Sequence, residues 1–425
     1  MLWSLIGRLF GRKPAAPAPP PPKAAARATA FQPTAHGPTT LMAGGPANLT
    51  VVGARRPLVN VDGQISGFEF NVTDTLRQRM NGQADEALLR AHLNALFGSM
   101  RLCVQNGHFA FTEMPALWLP EEPAEAAQGH QIALRGLAEA GDATQFDKTL
   151  TAWRRAGAVI GWRSNEQTAP GQRPDFVVCD SALPPSAPRW VAPYLPDVDS
   201  LESALRCGAG WAGSAVMIGV EPREAKALPP AARHLMRLLN QLIRDEDTAA
   251  VVREIKGDAA LSVRLLQHLN SAGMTRGTTL DSIEQAVAVL GRDSLYHWVS
   301  GLLVRMGPPR PAAATLQARA LWRGRMLEMM ARAAKEPQPG TLYLLGLTSV
   351  LPLLLQITMA EALDSMQLPA HASEALEDRA GPWAAYLSLV EALEKPDMAA
   401  AQELAEPLGG LDAMMSMSAS AWKVT

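Results

Sequence analysis

The chain has 425 residues, of which 48% are hydrophobic and 19% charged, with a formal charge of −2 at neutral pH. That length accommodates two domains of ordinary size and a tail, since a domain takes about 100–200 residues. The near-neutral charge argues against a nucleic-acid binder that works through a broad basic surface, and no apolar run reaches the roughly 20 residues needed to cross a bilayer.

Residues 1–13 join Leu2, Trp3, Leu5, Ile6, Leu9 and Phe10 to Arg8, Arg12 and Lys13, with no acidic residue. Two readings stay open: a short amphipathic helix lying on an anionic membrane surface, or a frayed terminus, since so short a peptide is a marginal helix in water. From Pro14 to about Asn48 the chain is Pro, Ala, Gly and Thr, including the run Pro19–Pro22. Such a composition cannot bury enough apolar surface to fold, so residues 1–48 are expected to be a disordered tail.

Residues 49–221 alternate short strand and helix signals. The apolar positions of residues 58–61 meet those of 67–70 across Asp62-Gly63, a dipeptide suited to a tight hairpin. Leu88, Leu89, His92, Leu93, Leu96 and Phe97 follow at the spacing of an amphipathic helix. The runs 158–160, 176–179 and 215–218 are bounded by Gly and Pro and predict buried strands, so the domain reads as α/β.

Residues 222–425 carry helix signals only. Leu235, Met236, Leu238, Leu239, Leu242 and Ile243 share one face, Asp258 is placed to cap the helix carrying Leu261, Leu265 and Leu269, and Ser282 with Gln285 forms a capping pattern that Gly291 ends. The expectation is an all-α domain of stacked antiparallel helices. Cys103, Cys179 and Cys207 are widely spaced, with no Cys-x-x-Cys pair for zinc or redox chemistry. A reduced, cytoplasmic compartment is therefore expected.

Within the helical half, LLNQLIRD (238–245), GDAALSVRLL (257–266), LNSA (269–272) and SIEQAVAVLG (282–291) resemble HDOD domains in order and spacing. The stretches 342–349 and 381–394 resemble the helices that close that domain where it follows an EAL-type module. HDOD domains are relatives of HD phosphohydrolases without the metal-binding set, and this sequence has no adjacent His-Asp pair. His268 and His297, in the helical core region, read as ordinary helix histidines.

Upstream, RPLVNVDGQISGFE (56–69) resembles the opening hairpin of EAL cyclic-dinucleotide phosphodiesterases, with Glu69 at the name-giving glutamate. The resemblance implies a barrel-like α/β domain in which several acidic ligands and an Asn hold two metal ions beside a Lys. At those positions Ala110 stands for the asparagine, residues 132–137 offer no carboxylate, and Arg163 and Ser164 replace the paired aspartates. Val178 takes the place of the lysine, and prolines fall within 190–197. Glu69 thus reads as a vestigial residue and the module as a degenerate EAL domain. The literal Glu-Ala-Leu triplets beginning at Glu86, Glu361, Glu374 and Glu391 lie in helical stretches and are decoys.

These resemblances imply a non-catalytic signal-transduction adaptor that works by protein–protein interaction through its HDOD domain, without cofactor, metal or catalytic residues. The partner is an unnamed protein or a second copy of the chain. The alternative is a non-hydrolysing cyclic di-GMP sensor, with Arg55, Arg56 and Arg163 as phosphate contacts, weighed against ordinary surface arginines. Trp298, Trp322 and Trp383 are candidate partner contacts, weighed against core packing.

Overall fold

The computed structural model describes residues 55–70, 86–168, 171–182, 189–271, 280–395 and 399–422. The expectations for the tail, 1–48, and for the membrane-surface segment, 1–13, lie outside the described residues.

The first half is a closed eight-stranded barrel with strands in chain order. Strand β1 (Arg56–Asn60) turns back into β2 (Ile65–Glu69). The Asn60 side-chain oxygen accepts from the backbone N–H groups of Asp62 and Gln64 at 3.1 and 3.0 Å, the local bonding that makes Asn a turn former. This fixes the register that sets Arg56 opposite Glu69 and Leu58 opposite Gly67. Helix α1 (Glu86–Gln105), β3 (Phe109–Pro115), β4 (His130–Arg135), α2 (Ala143–Arg155) and β5 (Val159–Arg163) follow. Then come β6 (Phe176–Val178), β7 (Trp190–Leu195), α3 (Val198–Arg206) and β8 (Trp211–Ser214). Strands β2 to β8 run parallel, while β1 runs against both of its neighbours.

Leu58, Phe111, Ala133, Phe176, Val178, Val191 and Trp211 fill the barrel, and α1 and α2 cover one flank through Leu93, Leu96, Met100, Phe146, Leu150 and Trp153. Gly67 is required inside, because a Cβ there would lie 2.4 Å from the Phe109 ring. The strand expected at residues 215–218 is not one. Closure is made four residues earlier, where Ala212 and Trp211 pair with Val59 and Asn60. The 215–218 run is apolar because it leaves the barrel for the helical half, where Val216 is buried.

The second half is helical: α4 (Pro230–Ile243), α5 (Thr248–Gly257), α6 (Ala259–Ser271), α7 (Ile283–Leu290) and α8 (Arg292–Leu303), then α9 (Ala313–Ala333), α10 (Pro339–Thr348), α11 (Leu351–Leu355) and α12 (Met359–Met366). After a short turn at Ala370–Ser373 come α13 (Ala384–Leu393), α14 (Ala399–Ala405) and α15 (Leu411–Trp422). The caps fall where the sequence put them: Asp258 Oδ1 accepts from Leu261 N at 3.0 Å, and Ser282 Oγ from Gln285 N at 3.4 Å.

Helix α9 is the axis of this half. It packs Leu316 and Ala320 into one cluster and Trp322, Met326, Leu327 and Met330 into another. Helix α10 lies against it at Gly346, where a Cβ would meet the Arg323 backbone at 2.6 Å. The first of these clusters also contains Trp190, Ala192, Leu201 and Leu205 of the barrel side, so the two halves share a hydrophobic core. Among the described residues no helix is long and apolar enough to cross a membrane.

Candidate functional site

In barrels of parallel strands, chemistry sits at the ends where the strands finish, because the loops there converge. Alternation along the strands turns Phe109, Phe111 and Glu113 of β3 inward, so Glu113 ends up at this mouth. Glu69 closes β2, Arg135 closes β4 and Arg163 closes β5. Arg56 reaches the same rim because β1 runs the opposite way. Asp180 just beyond β6 and Tyr194 of β7 complete the ring.

The carboxylates of this ring are matched to guanidinium groups. Arg56 Nε meets Glu69 Oε2 at 2.5 Å, and both side chains are within 1% of complete burial. Burial alone would raise the Glu69 carboxyl, but the charges of Arg56 and Arg55 prevail and hold it below the ordinary carboxylate range. Burial likewise works against the Arg56 charge, and Glu69 more than offsets it. The Tyr194 ring lies over Arg56, 5.0 Å from guanidinium carbon to centroid. Burial first, then nearby Glu69 and Glu113, keep its phenol protonated well above the usual tyrosine value.

Glu113 takes Arg163 through Nε and Nη2 at 3.3 and 3.4 Å, with Arg135 Nε at 3.7 Å. Arg163 reaches on to Asp180 at the solvent edge. Two divalent ions need several converging oxygen ligands. Here Glu69 and Glu113 are each engaged by arginine, and among the described residues no three His, Cys, Asp or Glu side chains gather as a metal ion would need. The donor set of this mouth does not fit the metal pair that the EAL resemblance implies.

Three assignments from sequence are corrected here. Ala110, set at the asparagine position, faces outward into the layer beneath α1, and Glu113 is the β3 residue that enters the mouth. Sequence reading passed over Glu113, although its alternation with Phe109 and Phe111 was the available signal. Arg55 and Arg56, offered as phosphate contacts, are 2% and 1% exposed and engaged within the protein, so neither presents a guanidinium to solvent. Arg163 is the one of the three that reaches the surface, at 24% exposure. Trp322 is core: it stacks on Trp422 with ring centroids 5.5 Å apart and donates its indole N–H to Ser418 O at 3.3 Å. Trp383 is half-buried, edge-on to His371, and Trp298 is half-buried at the surface, stacked with His268 at 5.9 Å.

A second polar layer runs from the back of this mouth into the helical half. Arg55 donates to the Leu393 and Lys395 carbonyls at 3.2 and 2.5 Å, and Arg319 Nη1 donates to Arg55 O at 3.2 Å. Arg323 holds Glu394 through two bonds of 2.7 and 2.9 Å and reaches Ser349 Oγ and the Val216 carbonyl. Burial lowers the Arg319 pKa to about 10, with Glu394 opposing the shift. Nearby, Arg310 meets Glu202 at 2.5 Å, and Ile218 N donates to Glu391 at 3.2 Å. Partners of this kind join chain segments far apart in sequence, so no local pattern could have announced them.

Comparison with known proteins gives two curated relatives. The chain is 28% identical over 176 residues to the uncharacterized protein YuxH of Bacillus subtilis, covering 40% of this chain and 42% of that one. It is 29% identical over 180 residues to the cyclic di-GMP phosphodiesterase CdgJ of Vibrio cholerae, covering 41% and 40%. The chain thus spans about two fifths of the length of the curated relatives it matches. Among solved structures, a calcium and cyclic di-GMP complex of Klebsiella pneumoniae BlrP1 aligns at 15% identity with a TM-score of 0.31, over 38% of this chain and 54% of that one. A likeness that low carries no argument about the site. The HDOD domain model matches residues 226–379, the stretch from just before α4 to just before α13, and that part of the protein is an HDOD domain.

Proposed function

We propose that the chain is a non-catalytic adaptor in cyclic di-GMP-linked signalling, located in the cytoplasm, and that it acts on protein partners through its HDOD domain. The pathway assignment is supported by the HDOD match and by the relative CdgJ. The observation that carries the non-catalytic part is the pairing of Glu69 with Arg56 and of Glu113 with Arg163. A carboxylate held by a fixed guanidinium is a poor ligand for a divalent ion, because the positive charge already beside it opposes a second one, and without the metal no bound water is activated. The degenerate barrel then serves as a rigid base for the helical half, to which it is joined by a common core.

The test is turnover of cyclic di-GMP by the full chain with magnesium or manganese, run beside calorimetric titration of the same nucleotide. The adaptor reading expects neither product nor heat. Hydrolysis above the no-enzyme control would sink it. Heat without hydrolysis would favour the sensor reading instead; of the three arginines that reading names, Arg163 alone reaches the surface, and it is already held by Glu113 and Asp180.

A further inference from the structure

A groove of about 550 Å³ runs between α6 and α8. Arg264 and His268 form one wall; Trp298, Leu302, Arg305 and Met306 form the other wall and the end. Trp298 and Leu302, four residues apart, share one face of α8, and Met306, in the 3-10 turn Val304–Met306 that follows, extends the apolar wall. They are half-buried rather than covered, and Val263, next to Arg264 on α6, is 52% exposed.

The charge around the stripe has one sign. Although the whole chain is slightly acidic, residues 259–280 and 294–327 contain no Asp or Glu. At the barrel mouth Arg56 and Arg163 are paired with carboxylates. Arg264 and Arg305 are exposed and have no ion-pair or hydrogen-bond partner among the described residues. A stripe of Trp, Leu and Met between unpaired guanidinium groups matches the way a helix groove receives an amphipathic peptide.

We propose that this groove is the docking site for an acidic amphipathic segment of a partner protein. Its apolar side chains lie on Trp298, Leu302 and Met306, and its carboxylates reach Arg264 and Arg305. The inference rests on the adaptor reading and gives that reading a surface and a partner chemistry. A protein segment is favoured over a nucleic acid because the groove offers two arginines and one tryptophan, with no basic track along which a backbone of many phosphates would run. Trp298 supplies the large buried area typical of interface anchors, and the two arginines select charge and steer approach.

The experiment pans a displayed library of random peptides against the full chain, then measures recovered peptides by fluorescence anisotropy with wild type, Trp298→Ala and the double variant Arg264→Glu/Arg305→Glu. The expected pool is net acidic with aromatic or aliphatic side chains, and each variant lowers affinity by about tenfold or more. The charge-reversed protein should keep its melting temperature, since the exposed arginines have no partner to lose. A pool without acidic bias, an empty pool, or equal affinity for all three proteins would overturn the proposal. So would binding of oligothymidine or phosphatidylglycerol vesicles that is lost in the same variants while no acidic peptide is recovered. Cyclic di-GMP turnover by the same preparation sinks the non-catalytic reading alone, whereas variant-independent peptide binding without turnover sinks the groove alone.

Discussion

Replacing Arg56 with methionine is the sharpest test of Glu69 as a structural residue. The substitution leaves the Glu69 carboxylate at 0% exposure, with Oε1 already lacking a hydrogen-bond partner among the described residues. Arg55 and Arg319 still act on it, but neither makes the 2.5 Å contact that Arg56 makes. Breaking one side of a buried ion pair costs about 3–5 kcal/mol. At about 2–4 °C per kcal/mol for a unit of this size, the midpoint should fall by roughly 6–20 °C. Glu69→Leu strands the guanidinium instead and should cost a similar amount. The double variant Arg56→Met/Glu69→Leu removes both charges, fills the space with apolar atoms and should regain most of the loss, a coupling of about 2 kcal/mol or more. Urea unfolding followed by tryptophan fluorescence completes the cycle. Single losses below about 1 kcal/mol, the scale of exposed pairs, or a double loss equal to the sum of the singles, would refute the reasoning.

Arg323→Met should strand Glu394, which keeps only Arg319 at 3.9 Å, and should cost about 3–5 kcal/mol, read as a lowered denaturation midpoint. For Glu328, burial would raise the carboxyl, but the bonds from His297, Tyr296 and Arg332 prevail and hold it at about 2. Its folded value lies below the unfolded 4.5, so its contribution is complete above that pH and lost as pH falls toward about 2. Glu328→Gln should flatten the stability profile in that window. His130, lowered to about 4 by burial and then by Arg101, stays neutral in the fold, whereas the unfolded chain takes up a proton below 6.5. Stability should therefore fall as pH drops from 6.5 toward 4, and His130→Phe should remove that slope in melting scans across the interval.

Features set by neighbours in sequence were readable from the residues alone. Asp62-Gly63 announces the hairpin, Asp258 and Ser282 announce helix starts, and the spacing of His92, Leu93 and Leu96 announces the buried face of α1. Features set by distant neighbours were not. The run 215–218 looks like a strand because buried coil and buried strand are equally apolar. Trp322 could not be told from a surface anchor because α9 is buried on opposite sides and shows no polar face to orient it. Ala110 was placed in the mouth although its strand position faces the α1 layer, because the two faces of a strand alternate and sequence alone did not fix which one points inward. Arg55 reads as a surface cation until the chain brings the Leu393 and Lys395 carbonyls to it from 338 and 340 positions away.

The pairing of Glu69 with Arg56 has a physical logic. A carboxylate with no exposure needs a compensating positive charge, because an isolated buried ion costs far more than a fold can bear. A divalent ion can supply that charge, and so can a guanidinium. A metal leaves coordination positions for water and substrate, whereas a guanidinium presents a planar fork of N–H donors with no vacant site. A guanidinium thus balances the buried carboxylate as a metal would, without offering a site at which water is activated. Arg56 is backed by Arg55 and Arg319, whose charges act on the same carboxylate. Deleting Arg56 alone leaves Glu69 in a field that still repels a divalent cation. On this reasoning the hairpin also serves the junction with the helical half, where the Arg55 side chain and carbonyl both find their partners.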